Sequence, residues 1–191
     1  MNKAMKNTIA ILFIIIISVA LGYAYDKIVT GIEKKNYPLM YEEIVEQYSQ
    51  EYNVPREIIY SVIKAESGFR ADIVSSAGAV GLMQITEATF DWLMSYQTHE
   101  ILSPGLLYEP ETNIKYGVCY LNYLYHRFES WDIAFAAYNA GPNRVKNSWL
   151  NNPEYIINNE IVYIPIEETR NYVKRVNKNI EAYKRLYFTN N

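Results

Sequence analysis

The segment from Thr8 to Ala24 is almost entirely apolar and includes four consecutive isoleucines. As a helix rising about 1.5 Å per residue, a segment of this length just crosses a bilayer core of roughly 30 Å. A helix in a soluble core normally keeps one polar face, and this segment has none. Residues 1–25 are therefore predicted to form a transmembrane anchor or a signal segment outside the folded core.

The residues in and around the apolar segment indicate its orientation in the membrane and whether it is cleaved as a signal peptide. Lys3 and Lys6 precede it, which favours a cytoplasmic N-terminus with the rest of the chain on the extracytoplasmic side. Ser18–Ala20 and Gly22–Ala24 are small-x-small sequences that suit cleavage, but the apolar run continues through both. We expect a single-pass protein of the cell membrane, with secretion after signal cleavage as the alternative. Residues 26–37 are polar, mixed in charge and predicted to be a short linker.

Hydrophobic periodicity after the linker predicts helices almost to the end of the chain. Gly and Pro punctuate the pattern, and one short stretch, Glu160 to Ile164, suits a strand. Residues 38–191 are therefore predicted to be one all-α, mainly helical domain. The predicted helices span residues 39–52, 55–67, 86–97, 112–128, 131–139 and 168–187.

Composition excludes several classes of protein. The chain has 18 basic and 21 acidic residues, a formal net charge of -3, so the basic excess of a nucleic-acid binder is missing. Cys119 has no cysteine to pair with, and only two histidines are present, so no metal site or cofactor is expected. The 19 tyrosines combine apolar rings with hydroxyl groups, which suits a groove for polar, ring-shaped ligands.

Glu66 is the candidate catalytic residue. It falls in register with Ile59, Val62 and Ile63 on the apolar face of a predicted helix that ends at Gly68. A carboxyl group among apolar neighbours loses hydration, which raises its pKa and suits it to donate a proton near neutral pH. The alternative is a glutamate at a helix end that reaches water or caps a backbone group.

Two further segments carry polar groups on otherwise small or apolar residues. The glycine-containing loop Ser75–Gly81 leads to Gln84, whose amide can both donate to and accept from a sugar substituent. The helix end Ala136–Gly141 surrounds Tyr138 and Asn139 with small residues, which leaves both free to face a cleft. The alternatives are an ordinary surface loop and an ordinary helix end with an asparagine near its cap.

Taken together, these segments resemble the soluble lytic transglycosylase domain family over about residues 40–187. The resemblance implies a lysozyme-like helical fold, action on the glycan strands of bacterial peptidoglycan, and Glu66 as a lone catalytic acid and base. It also implies substrate-binding roles for Ser75, Gln84, Tyr138, Asn139 and Tyr172. The motifs that carry it are Glu66-Ser67, Ser75, Gly78–Gln84, Ala137–Gly141 and Ile164–Val173.

The chain departs from the family pattern at two places. Family members commonly have Asn-Pro shortly after the Glu-Ser pair, where this chain has Arg70-Ala71. Some have a glutamate before the Ile-Pro of the last motif, where this chain has Val162-Tyr163. Glu160 and Glu167 lie nearby, but neither aligns with that glutamate.

The mechanism implied by the resemblance cleaves the β-1,4 bond between N-acetylmuramic acid and N-acetylglucosamine with a 1,6-anhydro product. Ordinary glycosidases need a second carboxylate about 5–9.5 Å from the first. Asp72, Glu87 and Asp91 are the nearest candidates in sequence, and each is expected to be a solvated surface residue. The alternatives are a hydrolytic muramidase and a non-catalytic wall-binding module of an envelope machine.

Overall fold

The computed structural model describes residues 2–188 and divides into two compact units, Met1–Pro38 and Leu39–Asn191. The first unit is helix α1, Lys3–Asn36, and most of the segment predicted to be a linker is helical. Lys34 and Lys35 lie in its last turn, where positive charge interacts favourably with the helix dipole.

The part of α1 from Ile11 to Asn36 satisfies the length and composition criteria for a membrane span, which a signal sequence also satisfies. Within the described residues, the large apolar side chains of this helix, such as Phe13, Ile16 and Leu21, are exposed. A helix that exposes apolar side chains on all its faces is consistent with the predicted transmembrane segment.

The second unit is mainly helical, which confirms the predicted fold class. Pro55 stands immediately before α3, and Pro110 begins α5, since proline is compatible with the first turn of a helix. The helices are α2 (Glu42–Tyr52), α3 (Arg56–Glu66), α4 (Glu87–Leu93), α5 (Pro110–Phe128), α6 (Trp131–Ala140), the short α7 (Pro142–Arg144) and α8 (Glu167–Tyr183). A 3₁₀ helix spans Pro104–Tyr108, and π-helical turns span Met94–Thr98, Val145–Trp149 and Lys184–Phe188.

The strand predicted around Glu160 is a two-residue strand in a small hairpin. Strand β1, Ile156–Ile157, pairs antiparallel with β2, Glu160–Ile161. Asn158 and Asn159 connect them with φ values of 49° and 63°, as a tight hairpin turn requires. Strand β1 was not predicted because two residues are too few to establish an alternating pattern.

The core places α3 and α6 against α8. The predicted inward face of α3, formed by Ile59, Val62 and Ile63, is fully buried. Helix α3 packs on α8, α8 also packs on α6, and α6 packs on α5. The C-terminal ends of α3 and α6 and the first turns of α8 are thereby connected through one core.

The segment between α3 and α4 has little regular structure but is fixed by buried hydrogen bonds. Asn113, on α5, accepts a bond from the Met83 N–H (2.7 Å) and donates to the carbonyl groups of Val80 (2.9 Å) and Leu107 (2.7 Å). Gly117, also on α5, leaves the space that the Met83 side chain occupies, since a Cβ there would overlap it. The loop is therefore anchored on α5.

Candidate active site

Glu66 is the last residue of α3, and the turn after it is fixed by Ser67. The buried Ser67 hydroxyl donates to the Ile63 carbonyl (3.1 Å) and accepts from the Phe69 N–H (3.1 Å). Gly68 and Phe69 both adopt left-handed conformations, with φ values of 59° and 68°. This turn ends the helix and leaves the Glu66 side chain half-buried at the edge of the core.

Burial raises the pKa of Glu66 from 4.5 to about 7. Two groups oppose the effect of burial by favouring the carboxylate, namely the hydroxyl of Tyr172 and the positive charge of Arg175. The negative charge of Glu168 acts in the same direction as burial. With a pKa near 7, the carboxyl group can hold a proton at neutral pH and can also release it.

Two tyrosines lie close enough to Glu66 for its charge to act on them. Burial raises the pKa of Tyr172 and Tyr138 well above the ordinary value, and the negative charge of Glu66 raises both further. The buried Tyr172 hydroxyl approaches the carboxylate without completing a hydrogen bond. The Tyr138 hydroxyl donates to the Met83 carbonyl (2.7 Å), so it presents acceptor capacity to any other neighbour.

Asn139, beside Tyr138 at the end of α6, is oriented by α8. Its side-chain oxygen accepts a hydrogen bond from the buried hydroxyl of Thr169 (2.7 Å). The end of α6 and the start of α8 are thereby fixed relative to each other at the site.

A groove of about 330 Å³ lies beside these residues. Gln84, Tyr138 and Asn139 all line it, together with Tyr120 of α5, whose ring centroid is 5.2 Å from that of Tyr138. Tyr138 thus joins the groove to Glu66, since it lines the first and is influenced by the charge of the second. Tyr172 is buried, and neither Tyr172 nor Glu66 is among the residues that line the groove.

Gln84 and Ser75 both have structural roles in the loop. The Gln84 amide nitrogen donates to the carbonyl groups of Gly81 (2.9 Å) and Ile73 (3.3 Å), so its oxygen is the atom available to a ligand. The Ser75 hydroxyl accepts from the Ala79 N–H (3.1 Å), and Ser75 is exposed. Ser75 is not among the residues that line the groove.

The other carboxyl groups considered from the sequence are all exposed. Asp72, Glu87 and Asp91 lie on the surface, as do Glu160 and Glu167. None of these five acts on the pKa of Glu66, whereas Glu168 does. Within residues 2–188, no cluster of three or more His, Cys, Asp or Glu side chains is arranged to hold a metal ion.

Neither departure from the family pattern lines the groove. Arg70 binds back to the turn after Glu66, with its Nε donating to the Ser67 carbonyl (3.0 Å). Val162 and Tyr163 are exposed after the hairpin, and Arg170 stacks on the Tyr163 ring at 5.2 Å. Arg70 therefore supports this turn with a hydrogen bond.

Three residues that contribute to the site were not predicted from the sequence. Tyr120 is one of 19 tyrosines, and nothing in its own sequence context sets it apart. Asn113 lies on a helix whose buried face is otherwise mainly apolar, and a polar residue at such a position could have indicated a buried hydrogen-bonding role. Arg175 is three residues after Tyr172, so both lie on the same side of α8 and both reach Glu66.

The fold is that of solved lytic transglycosylases. The structure of an inactive Glu-to-Gln mutant of the lytic transglycosylase Slt from Pseudomonas aeruginosa matches with a TM-score of 0.71 and 27% identity. The match covers 82% of this chain and 26% of that one. The helical domain that contains Glu66 therefore has a lysozyme-like transglycosylase fold.

The family follows from the sequence comparison. The model of the Transglycosylase SLT domain matches residues 43–161, and the chain belongs to that family. It is 37% identical over 147 residues to the soluble lytic murein transglycosylase of Escherichia coli K12, covering 75% of this chain and 23% of that protein. It is 30% identical over 167 residues to the membrane-bound lytic murein transglycosylase C of Mannheimia succiniciproducens, covering 76% of this chain and 47% of that protein. The chain thus spans about a quarter and about half, respectively, of these relatives.

Proposed function

We propose that this protein is a lytic transglycosylase that cleaves the β-1,4 bond between N-acetylmuramic acid and N-acetylglucosamine in peptidoglycan. The observation that carries the proposal is the Glu66 carboxyl group, whose pKa of about 7 lets it exchange a proton and whose charge acts on Tyr138, a residue that lines the groove. Family membership and the relatives' names support the choice of substrate.

In the proposed reaction, Glu66 acts first as an acid and then as a base. Protonated Glu66 gives its proton to the glycosidic oxygen, which leaves as the 4-hydroxyl of N-acetylglucosamine, while the anomeric carbon of the muramic acid develops oxocarbenium character. The muramic acid C6 hydroxyl then bonds to that carbon and gives its proton to the Glu66 carboxylate. A 1,6-anhydro ring closes, no water is consumed, and Glu66 is protonated again.

This route explains why one carboxyl group is sufficient. A hydrolase needs a second carboxylate to activate water or to attack the sugar. Asp72, Glu87 and Asp91 are exposed and do not act on Glu66, which supports a nucleophile supplied by the substrate. The Tyr172 hydroxyl and the Arg175 charge would stabilise the carboxylate formed after the first proton transfer.

The groove residues would hold the sugars beside Glu66. The Asn139 amide and the Gln84 oxygen offer a donor and an acceptor to acetamido or hydroxyl substituents. Tyr120 and Tyr138 offer ring surfaces on which the apolar faces of sugars pack. Ser75 remains a candidate substrate-binding residue from the resemblance alone.

The proposal is tested by the products released from peptidoglycan sacculi. We expect fragments with 1,6-anhydro ends, which borohydride does not reduce. The activity of the Glu66→Gln variant should fall by at least about 10²-fold, which is the lower end of the rate enhancement that general acid–base catalysis typically gives. The control Glu167→Gln removes an exposed carboxylate and should keep normal activity.

Other outcomes would change the assignment. Reducible ends would make the enzyme a muramidase that admits water. No turnover by the wild-type chain, together with binding to sacculi, would favour the wall-binding module. The inactive Glu-to-Gln mutant of the Pseudomonas aeruginosa relative supports the loss of activity expected for Glu66→Gln.

The proposal also places the protein in the cell membrane through α1, with the second unit on the extracytoplasmic side where peptidoglycan lies. The apolar window of α1 and the Mannheimia succiniciproducens relative, which is described as membrane-bound, support retention of the helix. Fractionation of cells expressing the full chain tests this. Recovery of a shortened protein in the medium would favour signal cleavage instead.

A further inference from the structure

A second pocket, of about 290 Å³, continues from the groove toward α4 and α5. Thr89, Tyr120 and Pro142 line both the pocket and the groove, so a ligand in one can extend into the other. The function proposed above uses only the groove. We call this extension the Arg127 pocket, after the one charged residue that lines it.

The walls of the Arg127 pocket are aromatic. Trp92 meets Tyr123 edge-on with ring centroids 4.6 Å apart, and Tyr123 lies parallel to Tyr120 at 6.4 Å. Residues on two different helices, α4 and α5, therefore form one continuous ring surface. Such a surface suits the aliphatic parts of a ligand as well as the face of a sugar.

Arg127 is half-buried in this pocket and is held in place by its neighbours. Its Nη1 donates to the Tyr123 hydroxyl, and its guanidinium lies over the rings of Tyr123 (5.8 Å) and Phe128 (5.6 Å). Its charge also reaches Tyr120, where it opposes the effect of burial on the pKa of that phenol. The orientation of the cation is thus fixed before any ligand binds.

No carboxylate neutralises Arg127 within residues 2–188. The ion pairs of this part of the chain involve other cations, such as Arg56 with Glu46 and Lys115 with Glu100. The residues that line the Arg127 pocket include no Asp or Glu. A fixed, half-buried arginine without an acidic partner, in an open pocket, is arranged to bind an anion.

We propose that the Arg127 pocket binds a free carboxylate of the peptide stem carried by the glycan strand. This inference rests on the function proposed above, because a strand in the groove would bring the peptide of a muramic acid unit to the adjoining pocket. The uncharged sugars of the strand give a cation nothing to pair with, whereas stem peptides carry carboxylates. Arg127 would then select peptide-bearing strands over bare ones without taking part in bond cleavage.

The test compares two substrates and three forms of the full chain in detergent. The substrates are glycan strands that carry stem peptides and the same strands after an amidase has removed them. Arg127→Met removes the charge and keeps most of the length of the side chain. Arg144→Met is the control, since Arg144 is exposed and does not line the pocket. For Arg127→Met we expect KM on peptide-bearing strands to rise on the order of 10-fold, as for loss of a charged hydrogen bond, with kcat unchanged.

On stripped strands, Arg127→Met should behave like the wild-type chain. An equal rise in KM on both substrates, or a fall in kcat, would overturn the proposal because the residue would then act on folding or on the groove. A rise confined to stripped strands would also overturn it, because amidase treatment exposes the lactyl carboxylate and that group would be the one recognised.

A binding measurement separates this inference from the proposed function. A free stem tetrapeptide and its fully amidated form are titrated into the Glu66→Gln variant and followed by NMR, with no turnover required. We expect the acid to bind more tightly than the amide, and Arg127→Met introduced into the same variant should abolish the difference. Equal binding of acid and amide would refute the pocket assignment, whether or not the wild-type chain cleaves peptidoglycan.

Discussion

Replacement of Glu66 by glutamine should make the stability of the second unit less dependent on pH. The folded-state pKa of about 7 lies above the ordinary value of 4.5, because burial penalises the carboxylate. Below pH 4.5 the group is protonated in both the folded and unfolded states, and folding carries no penalty. Between 4.5 and 7 the folded state binds more protons, so stability falls as pH rises. Above 7 the full penalty is present.

The size of this penalty follows from the pKa difference. A shift from 4.5 to about 7 corresponds to about 3 kcal/mol at high pH, at about 1.4 kcal/mol per unit. Since Glu66 is only half-buried, it keeps part of its hydration, and about 2 kcal/mol is a more realistic change between pH 5 and pH 8. Glutamine has no proton to lose, so the variant avoids this cost.

Urea unfolding of residues 38–191 at pH 5 and pH 8 measures the effect. The fragment contains the compact unit Leu39–Asn191. The stability advantage of Glu66→Gln over the wild-type fragment should grow by about 2 kcal/mol between the two pH values. Glu167→Gln, an exposed carboxylate, serves as control and should show no such growth. A gap between Glu66→Gln and wild type that is constant with pH would refute the burial argument.

Three other changes have outcomes that follow from the structure. Tyr172→Phe removes a hydroxyl that lowers the pKa of Glu66, so the high-pH limb of the activity profile should move to higher pH. The free energy of unfolding, measured by thermal denaturation, should change by less than about 1 kcal/mol. Asn113→Leu breaks three hydrogen bonds, two of them buried, and should lower the free energy of unfolding in urea by about 3 kcal/mol, whereas Asn171→Leu at an exposed position should lower it little. Deletion of residues 1–25 should give a folded protein that is soluble without detergent, and insolubility or loss of the helical circular dichroism signal would contradict that expectation.

The helices were predictable because their signals are local and repeated. The apolar face of α3 is buried as the spacing of Ile59, Val62 and Ile63 predicts, and Gly68 ends the helix. The helical continuation of α1 through residues 26–36 was not predicted, since polar, mixed charge is compatible with either a linker or a solvated helix. The strand Ile156–Ile157 was too short to be recognised.

The candidate site was only partly predictable for a different reason. Glu66 is distinguished by its position on an apolar helical face, and Tyr138 and Asn139 by their small neighbours. The contacts of Tyr120 and Arg127 depend on how α4 and α5 pack, and no local pattern records that packing. Periodicity indicates which side of a helix faces inward, but it does not say which other helix that side meets.

The Met83 peptide unit has a consequence for the motions of the site. Its N–H is bonded to Asn113 on α5 and its carbonyl to Tyr138 on α6, so one residue outside any helix or strand joins two core helices. Local opening of this segment would break both bonds at once and release the Met83 side chain from the space beside Gly117. The Met83 amide hydrogen should therefore exchange as slowly as the amide hydrogens of the core. The groove wall at Tyr138, which is bonded to Met83, should open only when the core itself opens.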